Sequence, residues 1–277
     1  MIGPKWVTPK QKNISGFTLI ELVAVIVILG ILGTATAKFL VFGTQVYVDS
    51  TTRQSTLSQA RFVVERLTRE IRDSIPNSIR ITADKRCVEF IPIKASGTYR
   101  TDFDAVSPAS FAPQSGTKAD VISFNGEYDS GDRFYIYGLK ANHLYRDTDR
   151  YSVIDNVTGT APELTVEFTE SDSFAQKSPI ERYYTADHSV IYCINNSNLY
   201  RLKINTIRAG QRDYYTVSLL GVLMAEGITN SLPGEAPFNY SSGVLYRNSV
   251  FNLYLEFAAN QNENMFFNQE VHIPNVP

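Results

Sequence analysis

From Leu22 to Ala37 the chain carries no charge, and the apolar run extends from Phe17 to Leu40 around one carboxylate, Glu21. No other feature constrains the fold as strongly. About 20 predominantly apolar residues cross a bilayer as a helix, so the run is long enough to span one. An acid at the centre of such a helix costs roughly 2.5–3.5 kcal/mol on insertion scales, and intramembrane acids as a rule face a partner. Glu21 stands four residues past Phe17, about 6 Å along a helix at ~1.5 Å per residue, which also fits a side chain placed in the headgroup region. Lys5, Lys10 and Lys12 precede the run with no acid among them, so the positive-inside rule holds residues 1–16 in the cytoplasm and exports the bulk of the chain. Lys38, near the far end, reaches an interface by snorkelling. A cleaved secretory signal is the competing reading, because Ala35-Thr36-Ala37 places small residues behind the apolar stretch; the acid within that stretch counts against it.

The helical pattern continues beyond the membrane run. Leu57, Ala60, Val64, Leu67, Ile71 and Ile75 recur at spacings of three and four and share one face. The opposite face is charged, with Arg61–Glu65, Glu65–Arg69, Arg66–Glu70 and Arg69–Asp73 each four apart and worth ~0.2–0.5 kcal/mol. Pro76 stops the helix. Gly30 and Gly33 each weaken the apolar half by about 1 kcal/mol relative to Ala. Two readings of them stand: local melting on extraction from the membrane, or close helix packing through small residues.

After Pro76 the period changes from 3.6 to 2. Leu164, Val166 and Phe168 alternate with Thr165 and Glu167, and Phe251, Leu253, Leu255 and Phe257 alternate with Asn252, Tyr254 and Glu256, as in half-buried strands. Val190–Ile194 and Leu199–Ile204 read as a hairpin with a four-residue turn, Asn195 to Asn198. Further strands are expected at Cys87–Ile91, Val121–Phe124 and Phe134–Tyr137, with irregular loops near 94–119 and 229–244. The expected fold is therefore α+β: one long N-terminal helix, half membrane and half amphipathic, packed on a predominantly antiparallel β-sheet head. Its expected divisions are 1–16, 17–40, 41–76 and 77–277.

The formal charge of −2 includes the three lysines before Gly16, which argues against nucleic acid as the main partner of the exported part. Cys87 and Cys193 lie in strand-like segments where oxidation is permitted, so a disulfide is expected; two buried thiols that never meet are the alternative. The three histidines, His143, His188 and His272, are far apart in sequence, and no nucleophile elbow, zinc-type cluster or phosphate-cradling loop is present. Asp129-Ser130-Gly131-Asp132 and Asp147-Thr148-Asp149 contain the oxygen ligands calcium prefers, without completing an EF-hand loop; such clusters are ordinarily turns. No enzyme activity, catalytic residue, metal or cofactor is implied.

The segment Gly16-Phe17-Thr18-Leu19-Ile20-Glu21 behind a short basic leader resembles the class III signal of type IV prepilins. The resemblance implies cleavage between Gly16 and Phe17 by a membrane peptidase that methylates the Phe17 amine, and a role for Glu21 in neutralising the amine of a neighbouring subunit. Where many type IV pilins carry a helix-weakening Pro, this chain has Lys38. One long helix with a large β-rich head is similar to the J-type and W-type minor pilins. The segment Arg61–Arg72, the Pro76–Arg80 exit, the Cys193 hairpin and the ending His272–Pro277 are most similar to the O-type (MshO-type) minor pilins of the mannose-sensitive haemagglutinin (MSHA) pilus. That implies a single-pass inner-membrane protein with a periplasmic head, found also in the pilus fibre or its tip. The implied partners are the prepilin peptidase/N-methyltransferase, other minor pilins, the major pilin and the inner-membrane platform. A minor pseudopilin of type II secretion, or a membrane-anchored ligand-binding module or adhesin, would share much of this pattern.

Overall fold

A computed structural model describes residues 16–100, 116–172, 174–232, 234–243, 248–260 and 263–274. The leader lysines, Trp6 and the final Asn275–Pro277 lie outside them. Internal contacts divide the chain into two compact units, Met1–Thr52 and Arg53–Pro277.

One helix, α1 (Leu19–Arg72), supplies most of the first unit and begins the second. It passes without a break through Gly30 and Gly33. Its helical structure ends at Arg72, short of Pro76, because the next residues turn into strand-like contacts: Ile75 N–H donates to the Ile91 carbonyl and Ser74 bridges Pro92. The side chains of Gly16 to Ser55 are all solvent-exposed, whereas Ala60, Val63, Leu67 and Ile71 are fully buried. The buried stripe thus runs through Val63, and Val64 packs only partly at its margin. Of the four expected ion pairs on the charged face, the structure forms Arg66–Glu70, at 3.0 Å.

The head is antiparallel throughout its named strand pairs. One sheet combines β1 (Arg80–Ile81), β2 (Cys87–Phe90), β9 (Ser189–Asn195), β10 (Asn198–Ile204) and β11 (Val222–Ala225) in the order β1-β2-β9-β10-β11. A second combines β12 (Phe238–Ser241), β13 (Ser249–Asn260) and β14 (Glu263–Ile273). The buried face of α1 packs with residues of both, among them Phe90, Tyr192, Phe251, Leu253 and Phe257, in one apolar cluster. The opposite side of β2 and β9 is also covered: Cys87, Ile191 and Cys193 pack with Val217 of a short helix, Tyr214–Leu220. Both strands are therefore buried on two faces, and β2 reads as an unbroken buried run.

The remaining strands close a small barrel in the order β3-β4-β7-β6-β5-β8. These are β3 (Ala95–Tyr99), β4 (Gly116–Gly126), β5 (Arg133–Ile136), β6 (Tyr151–Thr160), β7 (Glu163–Asp172) and β8 (Arg182–Ala186). Side chains fill its interior. Phe134 stacks on Tyr183 at 4.6 Å and meets Phe168 edge-on at 5.3 Å, so these rings form the barrel core. Gly97 is required where β3 crosses this core, because a Cβ there would lie 2.1 Å from the Ile122 carbonyl oxygen and 2.7 Å from the Tyr183 hydroxyl.

Three local expectations change. The loop expected near 94–119 contains β3 and the start of β4, and residues 101–115 lie outside the described part. The loop expected near 229–244 contains β12, short enough at four residues to escape a periodicity search. The β9–β10 turn has two residues instead of four, since Asn195 pairs with Asn198. Asn196 and Ser197 take positive φ of 48° and 63°, the twist that suits a two-residue hairpin.

Candidate functional site

The first turn of α1 is closed by its own side chains. Thr18 precedes the helix, and its N–H and hydroxyl both donate to Glu21 Oε2, at 3.1 Å and 3.0 Å. Glu21 N–H donates in return to Thr18 Oγ1 at 3.3 Å. This reciprocal pattern is a capping box, which satisfies two backbone donors that a helix start otherwise leaves bare. The carboxylate also suits the positive end of the helix dipole. Both bonds to the carboxylate use Oε2, and Oε1 meets no donor among the described residues. The Thr-x-x-Glu spacing ahead of an apolar run was available in the sequence as a capping signal.

Beyond this turn the helix presents apolar side chains all round. Phe17 is 79% exposed and Leu19 82%, and Leu22, Ile26, Leu29, Leu32, Phe39 and Phe42 are each more than half exposed. The run qualifies by length and composition to cross a membrane. Four of its hydroxyls are satisfied within the helix: those of Thr34, Thr36, Thr44 and Thr51 donate to carbonyls one turn back, at 2.6–2.9 Å. Such self-satisfied hydroxyls carry no exposed donor into lipid.

Gly16 and Phe17 form the exposed lead-in to this helix, four or five residues before Glu21. The other two residues singled out, Cys87 and Cys193, are in the head, directly opposite each other on β2 and β9. They are joined by a disulfide, with Cα atoms 4.2 Å apart. That is close to the spacing of a non-hydrogen-bonded antiparallel pair.

The Asp129–Asp132 turn and the histidines find protein partners. Lys94 Nζ donates to Asp129 Oδ2 at 2.6 Å and to Asp132 Oδ1 at 2.9 Å, so an ammonium occupies the place between the carboxylates considered for calcium. Among the described residues no group of three His, Cys, Asp or Glu side chains is arranged to hold a metal. His143 Nδ1 accepts from Leu139 N–H, His188 pairs with Asp187, and His272 pairs with Glu270 at 3.3 Å. Burial lowers the His143 pKa, with the nearby Arg150 charge adding to the effect.

Residues 11–37 match the model of the prokaryotic N-terminal methylation motif. Neither a curated protein nor a solved structure matches the chain. The N-terminus carries the N-methylation motif of prokaryotic pilin-type proteins, which fits the type IV pilin and pseudopilin superfamily and indicates a chain processed by prepilin peptidase.

Proposed function

We propose that this chain is a non-enzymatic minor pilin of an MSHA-like type IV pilus, taking part in initiation, priming or the tip of the fibre. The observation that carries the reading is the methylation motif placed directly on a helix whose apolar residues find no cover within its own unit. Such a surface calls for lipid before assembly and other apolar helices after it. In this reading Gly16 and Phe17 flank the cut, Phe17 receives the methyl group, and Glu21 meets the amine of a neighbouring subunit. The capping box supports that last role: it holds the carboxylate through Oε2 and leaves Oε1 for an incoming donor. In low dielectric the attraction between such charges is strengthened, although the pair must also offset its desolvation. The partners are then the prepilin peptidase, the inner-membrane platform and other pilins, with the head on the periplasmic side and the chain held in the inner membrane.

Glu21 variants test the assembly role, and the capping box decides which is cleaner. Glu21→Gln keeps an oxygen for the Thr18 donors and removes the charge, whereas Glu21→Ala removes both. Both variants are expected to be cleaved and to keep a folded head, yet to enter the pilin complex at reduced levels in pull-downs from membranes. Wild-type incorporation of Glu21→Gln alone would assign Glu21 to capping. Wild-type incorporation of both would reject the assembly role.

A further inference from the structure

Along the second half of α1, a groove of about 530 Å³ separates the helix from β14. Arg61, Val64, Glu65, Thr68, Arg69 and Arg72 line one wall, and Phe267 and Gln269 the other. Arg53 pairs with Glu263 at 3.4 Å, and Phe267 and Gln269 face the later turns of the helix, so strand and helix run side by side in the same sense. Three properties of this groove belong together. First, Arg61, Arg69 and Arg72 form no ion pair among the described residues, although Glu65 lies four positions from both Arg61 and Arg69. Three guanidinium groups against one carboxylate make the groove basic on a chain whose formal net charge is −2. Secondly, β14 is an edge strand, paired with β13 on one side and with no described strand on the other. An open edge of this kind offers backbone donors and acceptors to another extended chain. Thirdly, the Thr68 hydroxyl is buried in the wall of the groove with no hydrogen-bond partner.

We propose that this groove receives an extended acidic segment of a neighbouring protein subunit, added as a strand to β14 with its carboxylates against Arg61, Arg69 and Arg72. The spacing specifies the segment. Arg61 and Arg69 are eight positions apart, about 12 Å along a helix at ~1.5 Å per residue. Same-face side chains on a strand recur about every 6.8 Å, so two acids four positions apart reach both arginines. Glu65 lies midway and disfavours a third acid between them; a Lys or a neutral residue belongs there. Arg72, about 4.5 Å past Arg69, reinforces the second acid. Charge gives the register, and the β14 backbone gives the extended conformation. The proposal uses the assembly reading only for the source of the segment.

The test uses the full chain in detergent and synthetic ten-residue peptides of alternating β-branched residues, followed by fluorescence anisotropy. The reference peptide carries Asp at positions i and i+4 and Lys at i+2. Expected is saturable binding that weakens roughly tenfold or more for Arg61→Glu/Arg69→Glu and falls with added salt, as exposed charge contacts do. A peptide with Lys at i and i+4 and Asp at i+2, and one of the reference sequence N-methylated at alternate backbone nitrogens, are expected not to bind. Equal binding of the N-methylated peptide would overturn strand addition, leaving a charged patch only. Unchanged binding to the Arg61→Glu/Arg69→Glu protein would overturn the groove as the site. No binding of any peptide would overturn the proposal as a whole. Peptide binding is independent of leader cleavage, so either result can fail without the other.

Discussion

Glu70 is the residue at which the helix is tied electrostatically to the head. Its carboxylate accepts from Arg66 at 3.0 Å on the same helix, from Arg201 at 3.0 Å on β10, and from the Tyr192 hydroxyl at 3.0 Å on β9. Replacing it leaves two guanidinium groups and a hydroxyl without their acceptor. Hydrogen bonds to charged groups contribute about 1.5–3 kcal/mol, so Glu70→Ala is expected to destabilise the head by an amount in that range. Glu65→Ala, on the groove side with no ion-pair partner among the described residues, should stay within about 0.5 kcal/mol of wild type. Urea unfolding of the full chain, followed by circular dichroism, measures both; equal effects would contradict the role given to Glu70. The pair with Arg66 was legible as an i,i+4 spacing, whereas Arg201 and Tyr192 lie 131 and 122 positions away and only the fold brings them in. Glu21 shows a different gap. Its place beside an apolar run was legible, and so was its spacing from Thr18, but neither an intermolecular charge nor a headgroup-region side chain implies the bonds it makes with Thr18.

Among the elements, the central pair β2–β9 carries the covalent link. The Cys87–Cys193 disulfide closes a loop with a sequence separation of 106. Chain-entropy arguments assign about 4.7 kcal/mol to a loop of about 100 residues. Thiol labelling of the chain unfolded in denaturant without reductant should find no free thiol, and the double substitution Cys87→Ala/Cys193→Ala should lower the unfolding midpoint. Full labelling without reductant, or an unchanged midpoint, would contradict the stabilising role of the bridge. The strands that hold the cysteines were legible from their apolar character, and so was the alternation of β7 and β13. The barrel was not, because alternation tells which side of a strand is buried and says nothing about whether a sheet closes on itself. Closure depends on partners such as β3 and β8, which pair across 90 positions through Ala95 and Thr185. The short β12 and the two-residue turn at Asn196-Ser197 were misjudged for a local reason: polar residues that favour loops also occur on the exposed faces of strands and in their last pairs.

At the scale of the whole molecule, an apolar helical unit and a disulfide-linked β-rich head are parts with different solvents. The described residues of the first unit are all exposed, and its exposed Leu, Ile, Val and Phe side chains are stable only in lipid or among other apolar helices. The second has its own core, to which α1 contributes Ala60, Val63, Leu67 and Ile71. The layout of one long helix followed by an antiparallel β-rich head was the most legible property of the chain, since an uncharged run and a change of period from 3.6 to 2 both survive any detail of packing. Processing at the head of the apolar helix is the central claim, and the mature N-terminus tests it most directly. Intact-mass and N-terminal peptide analysis of chain purified from membranes of a cell with an active prepilin peptidase should show a start at Phe17 carrying one N-methyl group. Because Trp6 is the only tryptophan, the same material should lack indole fluorescence. A chain that begins at Lys38, or one that retains Trp6, would contradict the account.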